Sequence, residues 1–304
     1  MPTHRSFRAL TLGVCLSLSA ACAQSDQGGE GSGSTPSSGV VVRITGSDTM
    51  VNLVQAWAEN YKKKRPDVTV QVAGGGSGVG IAGLIDGILD MASASREMES
   101  DEIERAKKRN GAEPKEYRVA LDALAIYVHR SNPIEVVSLE EVAEIYGEAG
   151  KILKWSQLGI ENAACASGDI IRVGRQNNSG TYVYFREAVL GTEREFKLGS
   201  IDQSGSKDVV TLVSRTPCAI GYSGMAYVTP EVKQVKVSKK KGEAGVAPTL
   251  ATAVEGSYPL ARPLYLYTRV APEGALKEFI DWVLSAEGQK IVEDIGYVPV
   301  TPST

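Results

Sequence analysis

Ile44-Thr45-Gly46-Ser47-Asp48-Thr49-Met50 is the stretch on which the reading of this chain turns. The β-branched run Val40 to Ile44 precedes it, and Leu53, Val54, Ala56, Trp57 and Tyr61 follow at helical spacing. The order is therefore strand, polar turn, helix. Ser47 or Asp48 can cap the helix, and the free N–H groups at its start can face an anion. Alone, such a turn reads as an ordinary β-to-α connection with a capping residue. Three further turns change that balance: Gly74-Gly75-Gly76-Ser77-Gly78, Ala92-Ser93-Ala94-Ser95-Arg96, and Asn177-Asn178-Ser179-Gly180-Thr181 behind Arg175. All four are expected to converge on one small oxyanion.

Composition narrows the class. The chain has 304 residues, enough for two domains of ordinary size, and a formal net charge of −3. That balance does not suit a nucleic-acid partner, and the runs Lys62-Lys63-Lys64-Arg65 and Lys239-Lys240-Lys241 read as solvated surface. His4 and His129 are the only histidines, so no zinc site, cofactor site or catalytic triad is expected.

Residues 1–22 have a basic start and a short apolar core, the pattern of an export signal. Leu18-Ser19-Ala20-Ala21-Cys22 is similar to a bacterial lipoprotein signal, which makes Cys22 the lipidation candidate; ordinary cleavage near Ala21 or Ala23 is the alternative. Residues 23–39 are rich in Gly, Ser and Pro and read as a flexible tether. Cys165 and Cys218 remain for the folded part. In an oxidising compartment they form a disulfide; otherwise they are two small buried thiols.

Along the chain, strands at Val40–Ile44, Val68–Ala73 and Asp90–Ala92 alternate with helices, the last of these capped by Ser100. This is the order of a parallel α/β sheet with its loops at one edge. Val119 to His129 reads as the first crossing between domains, Tyr258-Pro259-Leu260 with Leu264 to Thr268 as the return crossing, and Val232 to Val237 as an exposed strand. Residues 40–119 and 259–304 then make a discontinuous α/β lobe, and residues 120–258 a second one. A ligand cleft between them is the natural site.

At this point the chain resembles the phosphate-binding proteins of bacterial ABC importers, the PstS-like family, from about Val41 to Val298. The resemblance rests on GSDT at 46–49, GGGSG at 74–78, SASR at 93–96, and Arg175 with SGT at 179–181. Gly221-Tyr222 and Met225-Ala226-Tyr227 add to it. It implies a type II periplasmic-binding-protein fold, with inorganic phosphate held dehydrated and without metal between the lobes. Carried over, the donors are Ser47, Thr49, Ser77, Arg175, Ser179, Gly180 and Thr181. The implied partner is a membrane permease; the implied molecule is a monomer, outside the cytoplasmic membrane and touching it only through a lipid anchor.

Phosphate suits such a site, because its four oxygens demand many short donors and one charge-assisted fork from an arginine. Members of that family often carry an aspartate in the third loop to accept the phosphate hydrogen, and Ser95 stands there in this chain. A serine both donates and accepts, so it excludes sulfate less strongly. Asp48 is the substitute acceptor, or else a helix cap. Arg96 has three readings: an anion ligand, a closure contact, or, ranked first, a structural pair with Asp48 or Asp90. The alternatives to a phosphate carrier are a binding protein for sulfate or molybdate and a secreted phosphatase. The phosphatase lacks a histidine cluster, paired metal carboxylates and a serine with a base.

Overall fold

The computed structural model describes residues 39–300. The signal with Cys22, the tether up to residue 38 and residues 301–304 lie outside the described residues. Strand β1 (Val40–Gly46) runs parallel to β2 (Val68–Ala73) on one side and to β3 (Met91–Ala94) on the other. The connections are helices α1 (Val51–Lys64) and α2 (Ser77–Ile85). Strands of one direction share one carboxyl edge, so the turns after Gly46, Ala73 and Ala94 stand side by side.

Helix α3 (Ser100–Asn110) begins one residue earlier than a Ser100 cap would require. Its cap position is Glu99, whose N–H donates to the Glu102 carboxylate at 2.9 Å. Glu102 at the third helical position reaches back across the turn, which moves the boundary by one residue.

Strand β4 (Lys115–His129) joins the two halves of the sheet. It is followed by β5 (Val136–Ser138) and α4 (Leu139–Tyr146), the latter opened by a reciprocal Ser138–Glu141 cap. Next come β6 (Ile171–Arg175), α5 (Gly180–Phe185), β7 (Ile201–Gln203), α6 (Ser206–Arg215) and β8 (Ala219–Gly224). Then follow β9 (Val232–Ser238), α7 (Leu250–Val254), β10 (Ala261–Thr268), α8 (Gly274–Val283) and α9 (Ala286–Ile295).

The sheet order is β2-β1-β3-β10-β4-β8-β6-β7, with β9 pairing β4 and β5. The first part of β4 is antiparallel to β10, with Asp122 opposite Arg262. Its second part, from Leu124, is antiparallel to β8 and β9.

Three apolar clusters fill the interior. One packs α1, α8 and α9 on β1 and the early part of β4, with Trp57, Val119, Phe279 and Val292 buried. A smaller one gathers Ile81, Leu84, Tyr265 and Tyr267 beneath α2 and α3. The largest takes residues from Ala123 to Leu260, with Val298 added from the C-terminal part, and includes Tyr146, Phe185, Val209 and Tyr222. Phe185 and Tyr222 stack at 3.7 Å between ring centroids, and Tyr146 meets both edge-on. Such aromatic contacts add about 0.5–1.5 kcal/mol each beyond area burial.

The expected exposed strand at Val232 to Val237 is instead mostly interior. Val232, Val235 and Val237 are buried in the large core because β9 pairs β4 along its first part and β5 along its last. The short β5 and β7, at three residues each, carry too little pattern to be read in advance. Among the described residues no helix is long and apolar enough to cross a membrane.

Cys165 and Cys218 form a disulfide across a sequence separation of 53. It fastens the irregular segment before β6 to the entry of β8. Closing a loop of that length stabilises by roughly 4 kcal/mol in the chain-entropy account. Replacing both cysteines by serine is expected to lower the melting temperature by about 10 °C in scanning calorimetry. A drop below about 2 °C would mean that the covalent link adds nothing to the packing already there.

Candidate functional site

The four turns meet in one buried, polar region. Gly46 ends β1 at φ +149°, and a Cβ there would lie 2.0 Å from the Ser93 carbonyl oxygen. Only glycine lets β1 run this close to the end of β3. The Ser47 N–H then donates to that same carbonyl at 2.9 Å.

Asp48 does not cap α1, and neither does Ser47: the helix starts after Met50 without a side-chain cap bond. The Asp48 carboxylate has stronger partners. Oδ1 accepts the Gly75 N–H at 2.9 Å and Oδ2 accepts Arg175 Nη2 at 3.1 Å. A charge-assisted bond to a guanidinium outweighs a capping bond to a neutral amide. Tyr227 donates its hydroxyl to the Asp48 carbonyl at 2.9 Å, and Tyr297 to the Thr49 carbonyl at 2.6 Å, so the turn is fixed from both cores.

Arg175 is 1% exposed. Besides Asp48 it donates to Ser206 Oγ at 3.0 Å and to the Ser204 carbonyl at 2.7 Å. Burial lowers its pKa from the ordinary arginine value, and the Asp48 carboxylate works against that shift. Thr49 Oγ1 and Thr181 Oγ1 are 2.9 Å apart, and Ser206 Oγ lies 3.4 Å from Thr49 Oγ1. Ser179 caps α5 by accepting the Thr181 N–H at 3.1 Å.

Ser77 Oγ accepts the Ser95 N–H at 3.0 Å and stands 3.4 Å from Ser95 Oγ. Gly180 rests on both of these serines: a Cβ on it would be 2.4 Å from Ser77 Oγ and 2.8 Å from Ser95 Oγ. Across the same seam the Gly78 N–H donates to the Asn178 carbonyl at 3.0 Å, and Asn178 Nδ2 to the Gly75 carbonyl at 2.9 Å.

Asp48, Thr49, Ser77, Ser95, Arg175, Ser179, Gly180 and Thr181 are thus brought into contact with one another. Ser47 is buried beside them, and its Oγ has no hydrogen-bond partner. Arg96 takes the structural reading with a different partner from those expected. It makes a two-pronged pair with Glu102, at 2.7 Å on each prong. Asp90 instead accepts the Arg43 N–H at 2.8 Å.

Several participants were not legible in advance. Ser206, Arg262 and Asp122 all bear on the cluster. For Asp122 and Arg262 the available signal was a lone charge inside each apolar crossing: Asp122 within Val119–His129, and Arg262 between Tyr258–Leu260 and Leu264–Thr268. A charge interrupting a buried strand needs a partner, and these two are each other's.

The arrangement gathers hydroxyls, a guanidinium and one carboxylate, Asp48. His129, the histidine among the described residues, contacts Ser131 at 2.7 Å. Tyr127 donates to the Gly224 carbonyl, and burial pushes its pKa far up, so it stays protonated. No group of three or more His, Cys, Asp or Glu among the described residues could hold a metal ion.

Buried hydroxyls and a guanidinium, held at strand ends on α/β cores that share two crossing strands, define a substrate-binding protein of the two-lobed periplasmic-binding type. The PBP superfamily domain matches residues 31–287 of the chain. The phosphate-binding protein PstS of Pseudomonas aeruginosa is 37% identical over 265 residues, covering 84% of this chain and 81% of that protein. Protein SphX of Synechococcus elongatus is 30% identical, over 86% of this chain and 77% of its own.

Among solved structures, a putative phosphate ABC transporter substrate-binding protein with bound phosphate from Clostridium perfringens superposes with a TM-score of 0.76. It is 30% identical and covers 86% of this chain and 100% of its own. An ABC-type phosphate transport receptor from Vibrio cholerae gives a TM-score of 0.67 at 25% identity, with the same coverage of both chains. The chain belongs to the PBP superfamily and, within it, to the PstS-like phosphate-binding proteins.

Proposed function

We propose that this protein captures inorganic phosphate outside the cytoplasmic membrane and delivers it to an ABC importer. The observation that carries this is the convergence of Thr49, Thr181, Ser77, Ser95 and the Arg175 guanidinium, from four turns, in one buried region. Hydroxyls and amide N–H groups aimed from several directions suit a compact tetrahedral anion, and Arg175 adds a fork to two of its oxygens. Residues 40–119 and 259–304 act as one lobe and residues 120–258 as the other. The division of the apolar clusters near Ala120 and Leu260 supports that boundary.

The anion binds the first three turns, and closure carries Arg175 and the Ser179-Gly180-Thr181 turn across it. Ser47, Asp48, Thr49, Ser77, Ser95, Arg175, Ser179, Gly180 and Thr181 are the proposed ligand residues. The protein binds and releases without turnover, so hydrolysis of a phosphate ester is expected to be blank. Residues 1–22 direct export, Cys22 carries the lipid, residues 23–39 tether a monomeric binding domain, and the closed form docks on the permease.

Calorimetric titration with phosphate and then sulfate, at pH 6 and pH 8, tests this reading. Phosphate is expected to bind in the micromolar range or tighter, with sulfate at least about 100-fold weaker, a difference of roughly 2.7 kcal/mol. Comparable affinities would make the protein a general binder of tetrahedral oxyanions such as sulfate or molybdate. Binding of neither would remove the proposal.

Asp48 sets that selectivity, since a carboxylate accepts the hydrogen of HPO4 or H2PO4 and repels sulfate. Asp48→Asn keeps the side-chain shape and the acceptor for Gly75 N–H. It is expected to reduce the phosphate-to-sulfate ratio by about tenfold or more, corresponding to roughly 1.4 kcal/mol. An unchanged ratio would assign discrimination elsewhere.

A further inference from the structure

Arg262 carries a second guanidinium into the cluster, from the crossing strand β10. It is 1% exposed, and its cross-strand neighbour Asp122 on β4 is 0% exposed. Asp122 Oδ2 accepts from Arg262 Nε at 3.2 Å and from Nη2 at 3.0 Å. The rest of the guanidinium faces the ligand turns. Nη1 donates to the Ser95 carbonyl at 3.0 Å, and Nη2 to Thr181 Oγ1 at 3.0 Å and Thr49 Oγ1 at 3.3 Å. The Tyr184 ring lies 5.3 Å from Cζ, and its hydroxyl donates to the neighbouring Ala261 carbonyl. Arg262 therefore touches turns attached to different cores while itself sitting where the two meet.

Hydroxyl chemistry gives these contacts a consequence. A threonine hydroxyl has one proton and two acceptor positions, whereas a guanidinium only donates. Toward Arg262, Thr49 and Thr181 must therefore both accept; one of their two protons closes the 2.9 Å Oγ1–Oγ1 contact between them, which leaves the other to be given to the site. Without Arg262, either hydroxyl is free to turn its lone pairs toward the site, where they would repel an oxyanion. Asp122 holds the guanidinium in register and balances its charge, so Arg262 orients hydroxyls without adding net positive charge to the site.

We propose that Arg262 is a positioning residue for the bound anion: it holds the Thr49–Thr181 hydroxyl pair so that its free proton faces the anion, and its bond to Thr181 forms only when the turns of the two lobes are together. This inference rests on the phosphate-binding reading above.

A double-mutant cycle on phosphate affinity, read by calorimetry, tests it. Arg262→Gln is expected to weaken phosphate binding about 30-fold or more, and Thr181→Val about tenfold in the otherwise unchanged protein. In the Arg262→Gln background, Thr181→Val should cost less than about threefold, because the hydroxyl is no longer oriented. Arg262→Lys should recover only a small part of the loss, since one ammonium cannot span Asp122, both threonines and the Ser95 carbonyl.

Removing one member of a buried ion pair can unfold a protein, whereas replacing both with apolar residues is often tolerated. Arg262→Met with Asp122→Leu therefore serves as the second variant, with thermal unfolding in the absence of phosphate as the check on folding. If it folds with the unsubstituted protein's melting temperature and still loses about 30-fold in phosphate affinity, the pair acts on the ligand. Additive losses in the cycle, or affinity within about threefold of the unsubstituted protein in the Met/Leu variant, would overturn the inference alone. No phosphate binding by the unsubstituted protein would overturn the functional reading as well.

Discussion

Arg175→Ala is expected to weaken phosphate binding by about 10²- to 10⁴-fold. The range follows from two charge-assisted bonds at about 1.5–3 kcal/mol each. Arg175 is the guanidinium at the seam that is not committed to a fully buried carboxylate. Its partner Asp48 is 18% exposed by side chain and pairs through a single prong, in contrast to the wholly buried Asp122 beside Arg262. An incoming anion can share that fork. Arg175→Lys retains the charge but not the planar fork, and should fall between the two, at least tenfold weaker than the original, or about 1.4 kcal/mol. Calorimetric titration of both variants decides the matter. A loss below tenfold in the alanine variant would mean that hydroxyls and backbone amides hold the anion without Arg175. The anion-free protein should lose some stability too, because the Ser204 and Gln203 carbonyls lose their donor.

Gly180→Ala is expected to weaken phosphate binding by on the order of 10- to 100-fold while leaving the anion-free fold intact, the range corresponding to overpacking costs of about 1–3 kcal/mol. Gly180 is the first residue of α5, and its backbone angles are open to any residue. Alanine is a better helix former there than glycine, so nothing local opposes the change. The obstacle lies across the seam, where the new methyl would sit 2.4 Å from Ser77 Oγ and 3.0 Å from Ser77 Cβ. The clash therefore arises only when α5 approaches α2. The expected signature is a melting temperature within about 1 °C of the original without phosphate, and a reduced upward shift when phosphate is added. Affinity within threefold of the original would show that closure tolerates a wider gap than this contact implies.

Much of the first lobe was legible because its signals are local. The β-branched run at 40–44, the helical spacing after Met50 and the glycine turns each act within a few residues, and they recur in the order of a parallel α/β sheet. The reciprocal Ser138–Glu141 cap is local in the same way, joining residues three apart. A strand was correctly read at Val232–Val237, but its exposure was not. A period of two says that a strand has two faces, while only its neighbours decide whether either face meets water. The short β5 and β7 exist because longer strands offer them hydrogen bonds, and nothing in their own composition announces it.

What the sequence by itself determined is the class of fold and the chemistry offered at the strand ends: glycines that permit close approach, hydroxyls that can donate, and an arginine beside a Ser-Gly-Thr turn. These follow from properties each residue has in any chain. The tertiary structure alone decided how the charges are paired. Asp48 has the same neighbours in sequence whether it caps a helix or meets Arg175, 127 positions away, and its geometry chose Arg175. Asp122 and Arg262 are 140 positions apart and meet because two crossing strands bring them into register. Short-range torsional and capping preferences act between near neighbours in sequence. Burial and ion pairing act between whatever groups the packed chain places within a few ångströms, so the site's wiring became definite only once both lobes were folded against their shared strands.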